Sequence, residues 1–78
     1  MKTLAFDSVV KGIIVKLAPG QYEHTLVVVK TTTSIVQDWV WTSMIEQSDV
    51  KVGQKRELYF VRNVGKDGKE YVNCALIV

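Results

Sequence analysis

The sequence predicts an all-β domain: five strands in a Greek-key barrel, with one short helix between the third and fourth strands. Three observations carry this expectation. β-branched and aromatic residues recur in five short runs, each bounded by glycine, proline or polar turn residues. Thr42-Ser43-Met44-Ile45-Glu46-Gln47 has a hydroxyl cap followed by an acidic residue, the pattern of a helix start. The 78 residues are 47% hydrophobic and 23% charged, the composition of one globular domain, residues 1–78, rather than of a disordered chain.

The first strand spans residues 3–17. Leu4, Phe6 and Val10 share one face before Gly12, and Ile13, Val15 and Leu17 share one after it. That change of phase predicts a β-bulge at the glycine. A long, bent first strand lets a small barrel serve two sheets. Ala18-Pro19-Gly20-Gln21 predicts a type II turn, with proline presetting φ and Gly20 taking the positive φ. Residues 24–32 form the second strand around Leu26-Val27-Val28-Val29, apolar on both faces, so that one face is half buried or covered by another subunit.

Residues 34–42 admit two readings. Ser34 and Gln37 fit a capping box that would open a helix. Against it, Ile35, Val36, Trp39, Val40, Trp41 and Thr42 all favour strands, and a helical wheel scatters Trp41 and Ile45 away from the Ile35–Trp39 side. The strand reading is adopted. One or two helical turns follow at residues 42–47, with a hydroxyl as cap. Residues 56–64 form the fourth strand, and Gly65-Lys66-Asp67-Gly68-Lys69 makes a hairpin loop with an Asp-Gly pair. Residues 70–78 form the fifth strand, with Val72, Cys74, Leu76 and Val78 on one face. Three strands, a helix and two strands is the order of the OB-fold, whose helix closes one end of the barrel. An SH3-like barrel has no helix at that place.

Composition excludes several functions. One cysteine, Cys74, allows no intrachain disulfide and points to a reducing, cytoplasmic setting. Asp7 and Lys11 interrupt any apolar leader, and no run approaches a membrane span. His24 and Cys74 alone do not make a zinc site. As a nucleophile and base they lack a third group to orient the base. The chain reads as a non-enzymatic binding module without metal or cofactor.

OB barrels bind oligonucleotides or oligosaccharides across the face of strands 2 and 3, flanked by the loop between strands 1 and 2 and the loop between strands 4 and 5. The first loop offers Gln21, Tyr22 and His24; the second offers Lys66 and Lys69, entered through Arg62 and Asn63 and left through Tyr71; the face offers Lys30, Thr32, Gln37, Trp39 and Trp41. Cations interleaved with aromatics suit single-stranded nucleic acid, which needs charge along its phosphates and flat rings under its bases. Lys16, Lys30, Arg62, Lys66 and Lys69 are the candidate phosphate contacts. Trp39, Trp41 and Tyr71 are the candidate stacking rings, with Tyr22 beside them. Plainer readings stand next to these. The hairpin lysines suit solvated turn positions, His24 reads as a strand-end surface residue, and Cys74 reads as a small core hydrophobe. In a strand, Trp39 and Trp41 face away from Val36 and Val40. Either the valines are core and the tryptophans look outward, or the tryptophans are core or subunit interface, and the sequence leaves both open.

The stretch WVWTSMIEQSDVKVGQKRELYFVRNVGKDGKEYVNCALIV, residues 39–78, resembles the second half of the small single-stranded-DNA-binding proteins of filamentous phages. It shares their aromatic third strand, short Ser/Glu turn, glycine before the fourth strand, hairpin and terminal strand. The resemblance implies an OB-fold homodimer that coats replicating single strands in the host cytoplasm with little sequence preference, DNA before RNA, and without metal or catalysis. In that family an aromatic, basic hairpin between the second and third strands is the DNA-binding wing. Here that corner is Lys30-Thr31-Thr32-Thr33-Ser34, short and without an aromatic, so the expectation moves to Trp39, Trp41 and the two flanking loops. The alternative is a protein-interaction or assembly module that uses the apolar second and last strands as its interface.

Overall fold

A computed structural model describes residues 7–78; Leu4 and Phe6, expected on the first strand, lie outside them. The chain forms β1 (Ser8–Pro19), β2 (His24–Lys30), β3 (Ile35–Trp41), α1 (Thr42–Gln47), β4 (Lys55–Val64) and β5 (Glu70–Ile77). All neighbouring strands are antiparallel, in the order β3-β2-β1-β4-β5. The long β1 is central. Its first half pairs with β4, from Ser8↔Phe60 to Ile13↔Lys55, and its second half with β2, from Ile13↔Lys30 to Pro19↔Thr25.

The five strands, their connections and the position of the helix match the sequence expectation. Closure does not: the sheet keeps two edges, β3 and β5, which approach each other without sharing a ladder. A local cause lies on β3. Thr31 N–H bonds the Ser34 carbonyl, and by the antiparallel alternation that follows, Leu26–Trp39 is a non-hydrogen-bonded pair. The Trp39 N–H therefore points away from β2, where Asp38 Oδ1 accepts it at 2.7 Å. A donor that a fifth ladder would need is already taken, a device that blunts an open edge.

The core gathers Ile14, Val27, Val29, Val40, Leu58, Phe60, Cys74 and Ile77 from the strands, with Ile45 of α1 and Val50 behind it covering one end. Arg56 ties that end together. Its guanidinium donates to the Ser48 carbonyl at 2.8 Å, to Gln54 Oε1 at 2.8 Å and to the Val78 carbonyl at 3.1 Å.

Four local expectations are corrected. In β1 the inward residues are Val10, Gly12 and Ile14, then Leu17, and the register slips between Ile14 and Lys16. The bulge is therefore at Val15, and Ile13 and Val15 face outward. Gly12 stays in phase because β2 passes too close for a side chain: a Cβ there would lie 2.8 Å from the Lys30 carbonyl carbon. The reversal into β2 falls at residues 21–24, where Tyr22 and Glu23 take φ of 58° and 61°. These are the left-handed values that a type I′ hairpin turn requires, so Gly20 is not the turn's positive-φ residue. In β5 a slip opposite Tyr59 and Phe60 makes Ala75 the extra residue, so Cys74 and Ile77 face inward while Leu76 and Val78 are exposed. Finally, no side chain caps α1. Thr42 instead turns its hydroxyl to that of buried Thr25, at 2.8 Å, while its N–H donates to the Glu23 carbonyl at 2.8 Å.

Candidate nucleic-acid interface

The alternation of β3 decides where the tryptophans go. Val40 is buried, so Gln37, Trp39 and Trp41 share the outward face, with Trp39 51% and Trp41 46% exposed. In the isolated chain both rings are outside the core.

Each ring is held from below. Trp41 stands opposite His24 in a non-hydrogen-bonded pair, where side chains approach most closely. The two rings lie 4.2 Å apart at 32°. The Trp39 ring lies over Gly20, where a Cβ would come within 2.7 Å of its Cη2. Gly20, Gln21, Tyr22, His24 and Trp39 line an open groove of about 540 Å³. Tyr22, at the tip of the turn, is 83% exposed. Thus the loop between β1 and β2 and the third strand meet, as a binding face of this kind requires. Two parts of this cradle were not recognised from the sequence. His24 reads as a surface strand end until the register puts it against Trp41, and Gly20 reads as a turn glycine until Trp39 is seen above it.

Lys16 and Lys30 belong to the same outward face. Lys16 pairs with Val28, which pairs with Gln37, and Lys30 pairs with Ile35. Five of the nine candidate residues are therefore grouped on β1, β2, β3 and the turn between β1 and β2: Lys16, Tyr22, Lys30, Trp39 and Trp41.

The other four gather at the β4–β5 hairpin, at the opposite end of the ladder order. Tyr71 is committed to that loop: its hydroxyl donates to Asp67 Oδ2 at 2.9 Å and its ring covers Gly65. The Lys69 backbone N–H donates to the other Asp67 oxygen at 3.1 Å. That N–H, then the Tyr71 hydroxyl, holds the Asp67 carboxyl below its ordinary pKa. Arg62 directs its side chain toward Glu70, 3.9 Å away, and its backbone N–H to the Asp7 carboxylate. Lys66 and Lys69 are exposed.

No family model, curated protein or solved structure matches this chain. The geometry alone therefore carries the functional reading. Among the described residues no helix is long and apolar enough to cross a membrane, and no group of three or more His, Cys, Asp or Glu side chains is placed to hold a metal ion. Cys74 is buried, and that burial pushes its thiol pKa up, which disfavours a reactive thiolate.

Proposed function

We propose that this chain binds single-stranded nucleic acid, DNA in the first place, without reading its sequence. One observation carries the reading: two half-exposed indole rings, two residues apart on β3, stand outward on the face that also bears Lys16 and Lys30. Such rings are costly to leave in water without a partner. Their spacing along the strand is about 7 Å, and a flat ring in van der Waals contact on both sides needs about 3.5 Å to each neighbour, so one base fits between the two indoles. One base stacked there supplies roughly 1–3 kcal/mol. A micromolar complex needs about 8 kcal/mol, and the lysines are the source of the difference, which makes binding salt-dependent.

On this reading the protein coats single strands during replication of a phage or mobile element in the host cytoplasm, as a homodimer joined through an open edge. The test is tryptophan fluorescence during titration with oligothymidylate. Quenching that weakens steeply with salt is expected. Unchanged fluorescence and unchanged electrophoretic mobility of the oligonucleotide at low salt refute it.

A second reading, an assembly module, draws on the unpaired edges β3 and β5 and on exposed apolar residues there, Ile35 and Leu76 among them. It predicts an oligomer stable in high salt whose tryptophan emission ignores oligonucleotides.

A further inference from the structure

The binding face continues beyond the residues named so far. Ile13, on the outward side of β1, is 47% exposed and pairs with Lys30 on one side and Lys55 on the other. Two residues along β1, Lys11 pairs with Glu57. Lys11, Gly12, Ile13, Lys30, Lys55 and the adjoining threonine loop line a groove of about 440 Å³. Strand alternation puts all three lysines on the side of the sheet that carries Trp39 and Trp41. Of the five Lys, Arg, Asp and Glu side chains on the outward face of β1, β2 and the first three residues of β4, only Glu57 is acidic: the others are Lys11, Lys16, Lys30 and Lys55. Glu57 is itself occupied. It receives the Tyr59 hydroxyl and Lys11 Nζ, the latter at 3.1 Å.

We propose that this lysine groove is a phosphodiester-binding segment continuous with the tryptophan face. A bound single strand then runs from the aromatic cradle over β2 to the junction of β1 and β4. The spacing suits a chain of phosphates. The Ile35–Lys30–Ile13–Lys55 row lies four residues along β3 from Trp39, about 14 Å at strand rise. That is about four phosphate spacings of a stacked strand, within the range of about 4–16 nucleotides that one such domain covers. Across the row, Lys30 and Lys55 are separated by two strand spacings, about 10 Å, with the apolar side chain of Ile13 between them for a sugar or base to rest on. The double pairing of Ile13 brings Lys55 beside Lys30, and Lys11 follows two residues along β1.

The inference rests on the single-strand reading, and the experiment separates the two. Binding of an oligothymidylate of about 16 nucleotides is measured across salt concentrations for wild type, Lys55→Gln, Lys30→Gln/Lys55→Gln, Glu57→Gln and the matched control Lys51→Gln. Lys51 lies outside the groove and pairs with Asp49 at 3.7 Å. Each phosphate contact contributes about 0.7 to the slope of log affinity against log salt. Lys55→Gln should lower the slope by about 0.7 and the double variant by about 1.4, or roughly 25-fold in affinity at 0.1 M salt. Lys51→Gln should leave it unchanged, and Glu57→Gln, which frees Lys11, should tighten binding. No binding by wild type overturns both readings. Wild-type binding with an unchanged slope in Lys55→Gln, or an equal loss in Lys51→Gln, overturns the groove alone.

Discussion

Two glycines offer the sharpest comparison in this molecule, because alanine at each meets an obstacle of a different kind. At Gly12 a methyl group would lie 2.8 Å from the Lys30 carbonyl carbon and 3.0 Å from Val29 Cγ1, and nearer still to the Lys30 oxygen. Unstrained carbon contacts begin at about 3.5 Å. The carbonyl belongs to the β1–β2 pairing around Ile13 and Lys30, so it cannot retreat without opening the ladder. Overpacking of this kind costs about 1–3 kcal/mol, and more when main chain must move, out of a total of about 4–12 kcal/mol for a domain of this length. At about 4–8 °C per kcal/mol, Gly12→Ala should melt about 4–24 °C below wild type. At Gly20 the methyl would come 2.7 Å from Trp39 Cη2 and 3.2 Å from its Cε3, a comparable overlap. Here the obstacle is a half-exposed ring that can swing into water, so Gly20→Ala should cost under about 1 kcal/mol, the range of surface changes. Its effect falls on the site: Trp39 emission shifts to the red, and oligothymidylate binding weakens by roughly 5-fold or more as a stacking contact of about 1–3 kcal/mol is lost. Thermal unfolding followed by circular dichroism, with emission spectra of both variants, reads these outcomes. A Gly12→Ala midpoint within about 2 °C of wild type, or a Gly20→Ala midpoint as low as that of Gly12→Ala, refutes the reasoning.

Two further outcomes follow from the hydrogen bonds. Thr25→Val leaves the Thr42 hydroxyl without its partner at a partly buried site and should cost about 1–3 kcal/mol; Thr25→Val/Thr42→Val should cost less than the two single changes together, and urea midpoints of the four proteins measure the coupling. The Asp67 carboxyl is held below its ordinary pKa by the Lys69 N–H and the Tyr71 hydroxyl. A depressed folded value means stability that is fully present above the unfolded pKa and lost as pH falls through the folded one. Wild type should therefore melt above Asp67→Asn near neutrality, and the two should converge in strong acid; a constant difference across pH would show that ionised Asp67 is not the cause.

What could be read from one sequence followed what is local. The strand character of residues 35–41 was legible because six of nine residues around it are β-branched or aromatic and because a helix would have scattered its apolar side. The helix at Thr42 was legible from its hydroxyl and acidic residues, although no side chain caps it in the fold. Register was not. The phase change in β1 was visible, but Gly12 and Val15 are both consistent with it, and only the pairing Ile14↔Val29 followed by Lys16↔Val28 puts the extra residue at Val15. In β5 the smooth alternation of Val72, Cys74, Leu76 and Val78 hid the slip that turns Ile77 inward. Pro19-Gly20 drew the turn toward itself, although the chain reverses at Tyr22 and Glu23, two residues whose left-handed φ nothing in their chemistry announces.

The same division runs through the site. Trp39 and Trp41 share a side of one strand whatever surrounds it, because side chains alternate with a period of two. That cations lie near aromatics along the chain is equally a property of the sequence. Which side faces water was a tertiary decision. Val40 looks inward to join Val27, Val29 and Leu58 in the core, and the alternation of β3 then leaves Trp39 and Trp41 on the outer side. The partners of the tryptophans, His24 and Gly20, and the meeting of Lys30 with Lys55 across Ile13 are matters of cross-strand register. Residues that touch across a sheet are distant in the chain, and their pairing is fixed by bulges and turns rather than by the identity of either neighbour.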